Sequence, residues 1–325
     1  MSGYPLLAQS ERYRLPPRQA VVRASIALGL LTALYTGMLV HSVSPLWGLP
    51  LFCIGLLYLG LNAFHEASHG ALSRSNIVNR LFACGFDVFV GVSSQQYRIK
   101  HMIHHSHTNI DGWDQDLDTE GALRLSPEEP WKPHHRFQPF YALLLYSLLT
   151  LTWGPYYDMQ RLRSGKIGQK KIKFRRVDVI QQLALKGLHF AIFVILPWML
   201  FGPVALLAYI GCHLILGIAI ALVFQVAHVT SDCAFYERDQ AVRDWTAHQL
   251  ATSANFSTRS HLARFFFGGL NYQGIHHLHP RVSYLHFPAI DEELKVLGLH
   301  PIEYPTFSAA VVAHFRHLNK MGKRP

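Results

Sequence analysis

Two stretches of the chain contain no Asp, Glu, Lys or Arg: the 42 residues from Ala24 to His65 and the 45 from Gly187 to Ser231. About 20 apolar residues in a helix cross the hydrocarbon core of a bilayer, so each stretch is long enough for two crossings and a short turn. Turn-forming residues sit near the middle of each, at Ser42–Pro45 and at Phe201–Pro203. Hydrocarbon offers backbone N–H and C=O groups no water, so such segments fold as helices. The expected fold is therefore all-α and integral to the membrane. Four transmembrane helices form two hairpins, Ala24–Val40 with Leu46–Phe64 and Leu188–Met199 with Val204–Ala227. Composition agrees: 15% charged against 50% hydrophobic residues disfavours both a disordered chain and an ordinary soluble enzyme.

Lys and Arg set the orientation. Arg12, Arg14, Arg18 and Arg23 face only Glu11 in the first 23 residues, and the segment from Pro155 to Lys186 holds nine Lys and Arg against Asp158 and Asp178. The hairpin tips, residues 41–50 and 197–204, hold none. Positive charge stays on the cytosolic side, which puts both termini there and the tips outside. A fifth uncharged stretch, the 21 residues from Phe137 to Tyr157, is long enough to cross, but a crossing would carry the basic segment outside. Its flanking Trp131, Tyr141, Trp153, Tyr156 and Tyr157 fit an interfacial or re-entrant helix instead. Leu81–Tyr97, interrupted by Asp87, is a shorter segment of the same kind.

The expected organisation is one membrane domain: a cytosolic N-terminus (1–23), the first hairpin (24–64), a cytosolic and interfacial region (65–186), the second hairpin (187–227) and a mostly helical cytosolic cap (228–325). Asp111 to Pro133, with its prolines and acids, reads as a loop. The first apolar run starts late and no small-residue cleavage pattern follows it, so no cleavable signal peptide is expected. The four scattered cysteines are core thiols. Nucleic acid is not an expected partner, because the basic residues adjoin membrane segments.

The chain's 21 histidines are grouped. His65 and His69 stand at i and i+4 where the second crossing ends. His101, His104 and His105 stand at i, i+3 and i+4, and His276 and His277 follow Gln273 by three and four residues. A metal needs several lone pairs converging at about 2.0–2.2 Å, and these spacings supply them from one helical face. Neutral imidazole suits Fe, Zn and Cu. The first group is not HExxH, so the zinc-protease reading fails on spacing. Asp114, Asp116 and Asp118 resemble the start of a calcium loop, but Thr119 and Leu125 occupy the positions that need Gly and Glu. Alone, His228 at a helix end and His213 in mid-crossing read as residues bonded within the fold. A membrane metal transporter would carry its ligands inside the crossings, whereas these groups lie at helix ends.

In that order and separated by membrane hairpins, HxxxH, HxxHH and QxxHH resemble the membrane fatty acyl desaturase family, in its linoleoyl-CoA or front-end branch. The resemblance covers roughly residues 45 to 290. It extends to Tyr97-Arg98-Ile99-Lys100-His101, to Thr108-Asn109-Ile110-Asp111-Gly112 leading to Asp116-Leu117-Asp118, to Phe224-Gln225-Val226-Ala227-His228 and to Gly268-Gly269-Leu270-Asn271-Tyr272-Gln273. It implies a non-haem di-iron centre on the cytosolic face, with His65, His69, His101, His104, His105, His276 and His277 as ligands. His228 matches a further ligand at the end of the fourth crossing, and Gln273 stands where other branches have the first His of the third box. Two positions depart from the pattern: Glu66 stands where the branch usually has Asp, and Ile275 where it usually has Glu. The second departure removes a carboxylate that could accept an imidazole N–H.

The implied activity is O2-dependent insertion of a double bond into a long acyl chain carried on CoA, lipid or acyl carrier protein. Related hydroxylases, epoxidases and acetylenases use the same boxes. O2 needs two external electrons. The chain has no HPGG haem motif (Arg281 follows His279-Pro280), no cysteine set for an iron–sulfur cluster and no GxGxxG. A separate donor of ferredoxin or cytochrome b5 type is therefore expected. The implied location is a multi-pass protein of the bacterial inner membrane or endoplasmic reticulum.

Overall fold

A computed structural model describes residues 17–238, 242 and 244–325. Residues 1–16, with Arg12 and Arg14 of the expected cytosolic N-terminus, lie outside the described residues. The fold is mostly helical, and among the described residues four helices are long and apolar enough to cross a membrane: Gln19–Leu39, Pro45–His69, Arg176–Phe201 and Pro203–His228. Each charge-free stretch supplies two of them. The third starts earlier than the sequence suggested, because Asp178, Gln182, Lys186 and His189 form a buried polar stripe along one side of the helix and carry it beyond the apolar run.

The fifth uncharged stretch is not one straight helix. It breaks into Gln138–Ser147, Leu149–Thr152 and a wide π turn at Trp153–Tyr157. Asn76–Val90 and Ser94–Ser106 likewise meet at a bend of 108°. Gly91, at φ 76°, ends the first of these, and Asp87 accepts the backbone N–H of Ser94 (3.1 Å) at the start of the second.

The chain divides into two compact units. One comprises Arg18–Ile99 and Leu144–Ala221, and its outer helix faces carry exposed apolar side chains such as Leu30 and Leu207. Lipid suits such a surface. The helices have local irregularities with local causes. The ring of Pro197 displaces the carbonyl of Phe193, within the π turn Ala191–Ile195. The Asn62 amide donates to the Tyr58 carbonyl (3.0 Å) at the π turn Gly60–Phe64. Inside this unit Lys186 Nζ donates to Asp158 (2.6 Å) and to the Gly91 carbonyl (2.7 Å), and Asp158 also accepts the Ser93 N–H (2.7 Å). Only glycine fits at Gly154, where a Cβ would lie 2.1 Å from the Gly91 carbonyl oxygen.

The other unit holds Lys100–Leu143 and Leu222–Pro325. Its core includes Tyr272, Ile275, Val282, Tyr284, Phe287, Ile290 and Leu294, with a second cluster of Val226, Phe256 and Ala310. The C-terminal helix Phe307–Gly322 starts at Thr306, whose hydroxyl accepts the Ala309 N–H. Two buried histidines tie it down, His314 to the Val229 carbonyl and His317 to the Leu125 carbonyl (2.7 Å each).

Strict all-α is a small overstatement. Ala254–Phe256 pairs in parallel with Ile302–Tyr304, where Pro301 and Pro305 prevent a helix, and Lys166–Ile167 pairs with Lys170–Lys171 in a hairpin of the first unit.

Candidate metal centre

The second histidine box lies on the helix Ser94–Ser106, where helical spacing turns His101, His104 and His105 inward, all buried. The third box lies on the short helix Gln273–Leu278, whose Gly274 N–H is accepted by Asn255 Oδ1 (3.0 Å). Ile275 belongs to the apolar core of the same unit, while His276 and His277 join the histidine group. His228 is the last residue of the helix Pro203–His228, and the Asn109 amide takes its orphan carbonyl (2.8 Å).

These elements bring six imidazoles together. Ring centroids lie 4.1 Å apart for His105 and His277, 4.5 Å for His228 and His277, 4.7 Å for His104 and His228, 4.8 Å for His105 and His276, and 4.6 Å for His101 and His105. His104, His228 and His277 each offer a nitrogen within 4.8 Å of the other two, close enough to share one ion. The first box belongs to the other unit. There His65 and His69 are buried one turn apart, their rings 4.8 Å apart, on a helix that ends at Gly70 with φ 73°.

The ring orientations are fixed from behind. His104 Nδ1 lies 2.9 and 3.0 Å from the two oxygens of Asp114, which is itself held by the backbone N–H groups of Asn109 and Asp116 (2.9 Å each). His228 Nδ1 donates to the Thr252 carbonyl, and His277 Nδ1 to Gln249 Oε1 (2.9 Å each). With Nδ1 protonated in each ring, Nε2 is the nitrogen left to face a metal. Nε2 of His277 is buried with no hydrogen-bond partner among the described residues, an arrangement that costs free energy unless something binds there. Gln273 sits in the same place: its Nε2 lies 2.9 Å from His228 Nε2, and its Oε1 is buried with no hydrogen-bond partner among the described residues.

Electrostatics favour a neutral ligand at His277, where burial and the neighbouring His105 and His228 hold the imidazole well below its ordinary value. At His104 burial pushes the same way, but the Asp114 carboxylate outweighs it and the net shift is upward. A metal at its Nε2 would take the place of the extra proton.

Gln249 and Thr252, on and just after the helix Trp245–Ala251, carried no signal in the sequence. Asp114 did so only as part of an acidic loop. His213 bonds to Thr150 on a neighbouring helix (3.1 Å), as expected of a fold residue, and His107 stacks on Trp113.

Comparison with known proteins agrees with this geometry. The fatty acid desaturase family model matches residues 42–307. The sn-1 linoleoyl-lipid 6-desaturase of Synechocystis sp. is 34% identical over 86% of this chain and 80% of its own length. The protein of the same name from Arthrospira platensis is 29% identical over 94% and 86%. An acyl-lipid (8-3)-desaturase of Physcomitrium patens is 33% identical over 81% of this chain and 58% of its own length. The matched residues contain all three histidine boxes, and the chain belongs to the fatty acid desaturase family, as a membrane oxidoreductase that desaturates fatty acyl chains.

Proposed function

We propose that the protein inserts a double bond into a long acyl chain of a membrane lipid at a di-iron centre. The ligands in this reading are His65, His69, His101, His104, His105, His228, His276 and His277, with Gln273 a ninth, direct or through water. The observation that carries the reading is the convergence of six buried imidazoles whose Nδ1 atoms at His104, His228 and His277 are already engaged. An all-imidazole donor set suits ferrous iron and not a hard cation such as calcium. The acyl-lipid names of the relatives support a lipid-borne chain over a CoA-borne one.

When bound, the iron pair would supply the oxidising power, drawn from O2, to remove hydrogen from unactivated methylenes, which no side-chain acid or base achieves at neutral pH. The protein's residues do the rest. Asp114, Gln249 and the Thr252 carbonyl hold the rings, and the apolar helices hold the chain with one C–C bond at the site. The overall reaction takes –CH2–CH2–, O2, two electrons and two protons to –CH=CH– and two waters. A separate donor of ferredoxin or cytochrome b5 type supplies the electrons. Both termini and all boxes are cytosolic in this reading, supported by the exposed Lys166, Lys170, Lys171 and Lys173 before the third span.

Expression in a host with a simple lipid profile, followed by mass analysis of its acyl chains, tests the reaction. A new alkene in lipid-bound chains supports it, whereas hydroxylated chains or no product overturn it. For the topology, cysteine introduced at Ser44 should be labelled from outside and cysteine at Lys170 only from inside.

A further inference from the structure

The amide of Gln249 is fully buried, lies between the second and third boxes and uses both of its ends. Its Nε2 donates to the His105 backbone carbonyl (3.1 Å), and its Oε1 lies 2.9 Å from His277 Nδ1. The identity of these partners fixes the protonation pattern. A backbone carbonyl can only accept, so the NH2 end of Gln249 must face His105 and the oxygen must face His277. An oxygen can only accept, so His277 must carry its proton on Nδ1, and its Nε2 must present a lone pair. Thr108 completes the arrangement: its hydroxyl donates to the His104 carbonyl (2.9 Å), and its oxygen lies 3.1 Å from His277 Nδ1. Reversing the amide would set its oxygen against the His105 carbonyl oxygen.

We propose that Gln249 is the positioning residue of the third box: a neutral side chain that locks the His277 tautomer and ties that ring to the backbone of the second box. Ile275 lies in the apolar core, so the acceptor behind His277 comes from a different helix. The consequence is an asymmetric set of three rings, since a carboxylate backs His104, a backbone carbonyl backs His228 and an uncharged amide backs His277. The amide is the one of the three whose donor end also bridges the two boxes.

This inference rests on the metal reading above, so the experiment measures metal and not turnover. The full-length protein, purified in detergent and stripped of metal, is titrated with ferrous iron against a competing chelator. Its metal-free melting temperature is recorded alongside. Q249M keeps the size of the side chain and removes both bonds, and Q249E keeps the acceptor for His277. Loss of a partner behind a ligand is worth about 10–100-fold in metal affinity. The expected result is that Q249M binds iron at least about tenfold more weakly than wild type, with its metal-free melting temperature little changed. Q249E should lie closer to wild type than Q249M does. Equal iron affinity in Q249M and wild type would overturn the assignment, as would equal losses in both variants or losses that merely track the metal-free melting temperature. A wild-type protein that takes up no iron would instead sink the metal reading itself.

Discussion

Each unit contains a buried polar cluster, and the two clusters end differently. In the unit Arg18–Ile99 with Leu144–Ala221, opposite charges meet: one Asp158 oxygen accepts from Lys186 Nζ and from the Ser93 N–H, Lys186 also donates to the Gly91 carbonyl, and Arg161 Nη1 lies 3.6 Å from the other Asp158 oxygen. In the unit Lys100–Leu143 with Leu222–Pro325, Asp114, Gln249 and the Thr252 carbonyl satisfy one nitrogen of each ring, and the Nε2 of His277 is left over. Burial of ionisable groups alone would mark both clusters as sites. The difference in charge separates the candidate site from the brace: a carboxylate between two cations is already neutralised, whereas a group of imidazoles offers its nitrogens to a cation.

The largest effect should come from the imidazole cluster. His104→Ala, His228→Ala and His277→Ala should each abolish product and lower iron per purified chain. His213→Ala, whose ring is bonded to Thr150, should keep its iron. Iron analysis of the four variants checks this, and a His277→Ala protein with full iron and activity would remove that residue from the ligand set.

The core of the unit that holds the six imidazoles is next. Ile275 is fully buried among Tyr272, Tyr284, Phe287 and Ile290, so Ile275→Glu would bury an unpaired charge instead of restoring an acceptor near the rings. We expect a loss on the order of 4 kcal/mol, seen as poor folding or a sharply lowered melting temperature. A variant as stable as wild type, with iron held more tightly, would place residue 275 beside the metal after all.

The brace can be broken without touching a proposed ligand. Asp158→Ala leaves Lys186 buried without its carboxylate and should cost about 3–5 kcal/mol, whereas the double variant Asp158→Leu, Lys186→Met should recover most of that loss. Thermal unfolding in detergent reads both. If the double variant is no better than the single, the pair is more than a brace.

How much of this was legible follows from where the partners lie. The four long apolar helices were, because a charge-free run of more than 40 residues leaves few alternatives in a bilayer. The three boxes were also legible, since their geometry is local to a helical turn. The early start of the third span was hidden, because Asp178 and Lys186 read as the end of a membrane segment until their burial is known. The supports behind the rings were hidden for the same reason. Gln249 lies 28 residues from His277 and Thr252 lies 24 from His228, and no spacing rule joins such pairs. Ile275 was legible only as a departure from a pattern. Its meaning depends on which way the side chain packs.

The smallest expected effect tests a carboxyl of the unit Lys100–Leu143 with Leu222–Pro325 that lies outside both clusters. The Glu129 carboxylate accepts the Leu125 N–H (2.9 Å), while burial pushes its carboxyl up to about 7. Its folded value is thus raised above the ordinary one near 4.3. A raised acid contributes stability that is fully present below the unfolded value and is lost as pH rises through the folded one, so the loss should fall between about pH 4.3 and pH 7. Because the side chain is partly exposed to solvent, the amount is about 1 kcal/mol and not the full linkage value. Glu129→Gln keeps an oxygen for Leu125 and removes the ionisation. It should therefore be more stable than wild type at pH 8 and nearly equal to it at pH 5, as measured by melting temperature at both. The same difference at both pH values would mean that Glu129 stays ionised in the folded protein, as a carboxylate on the surface does, and that burial there is weaker than its surroundings suggest.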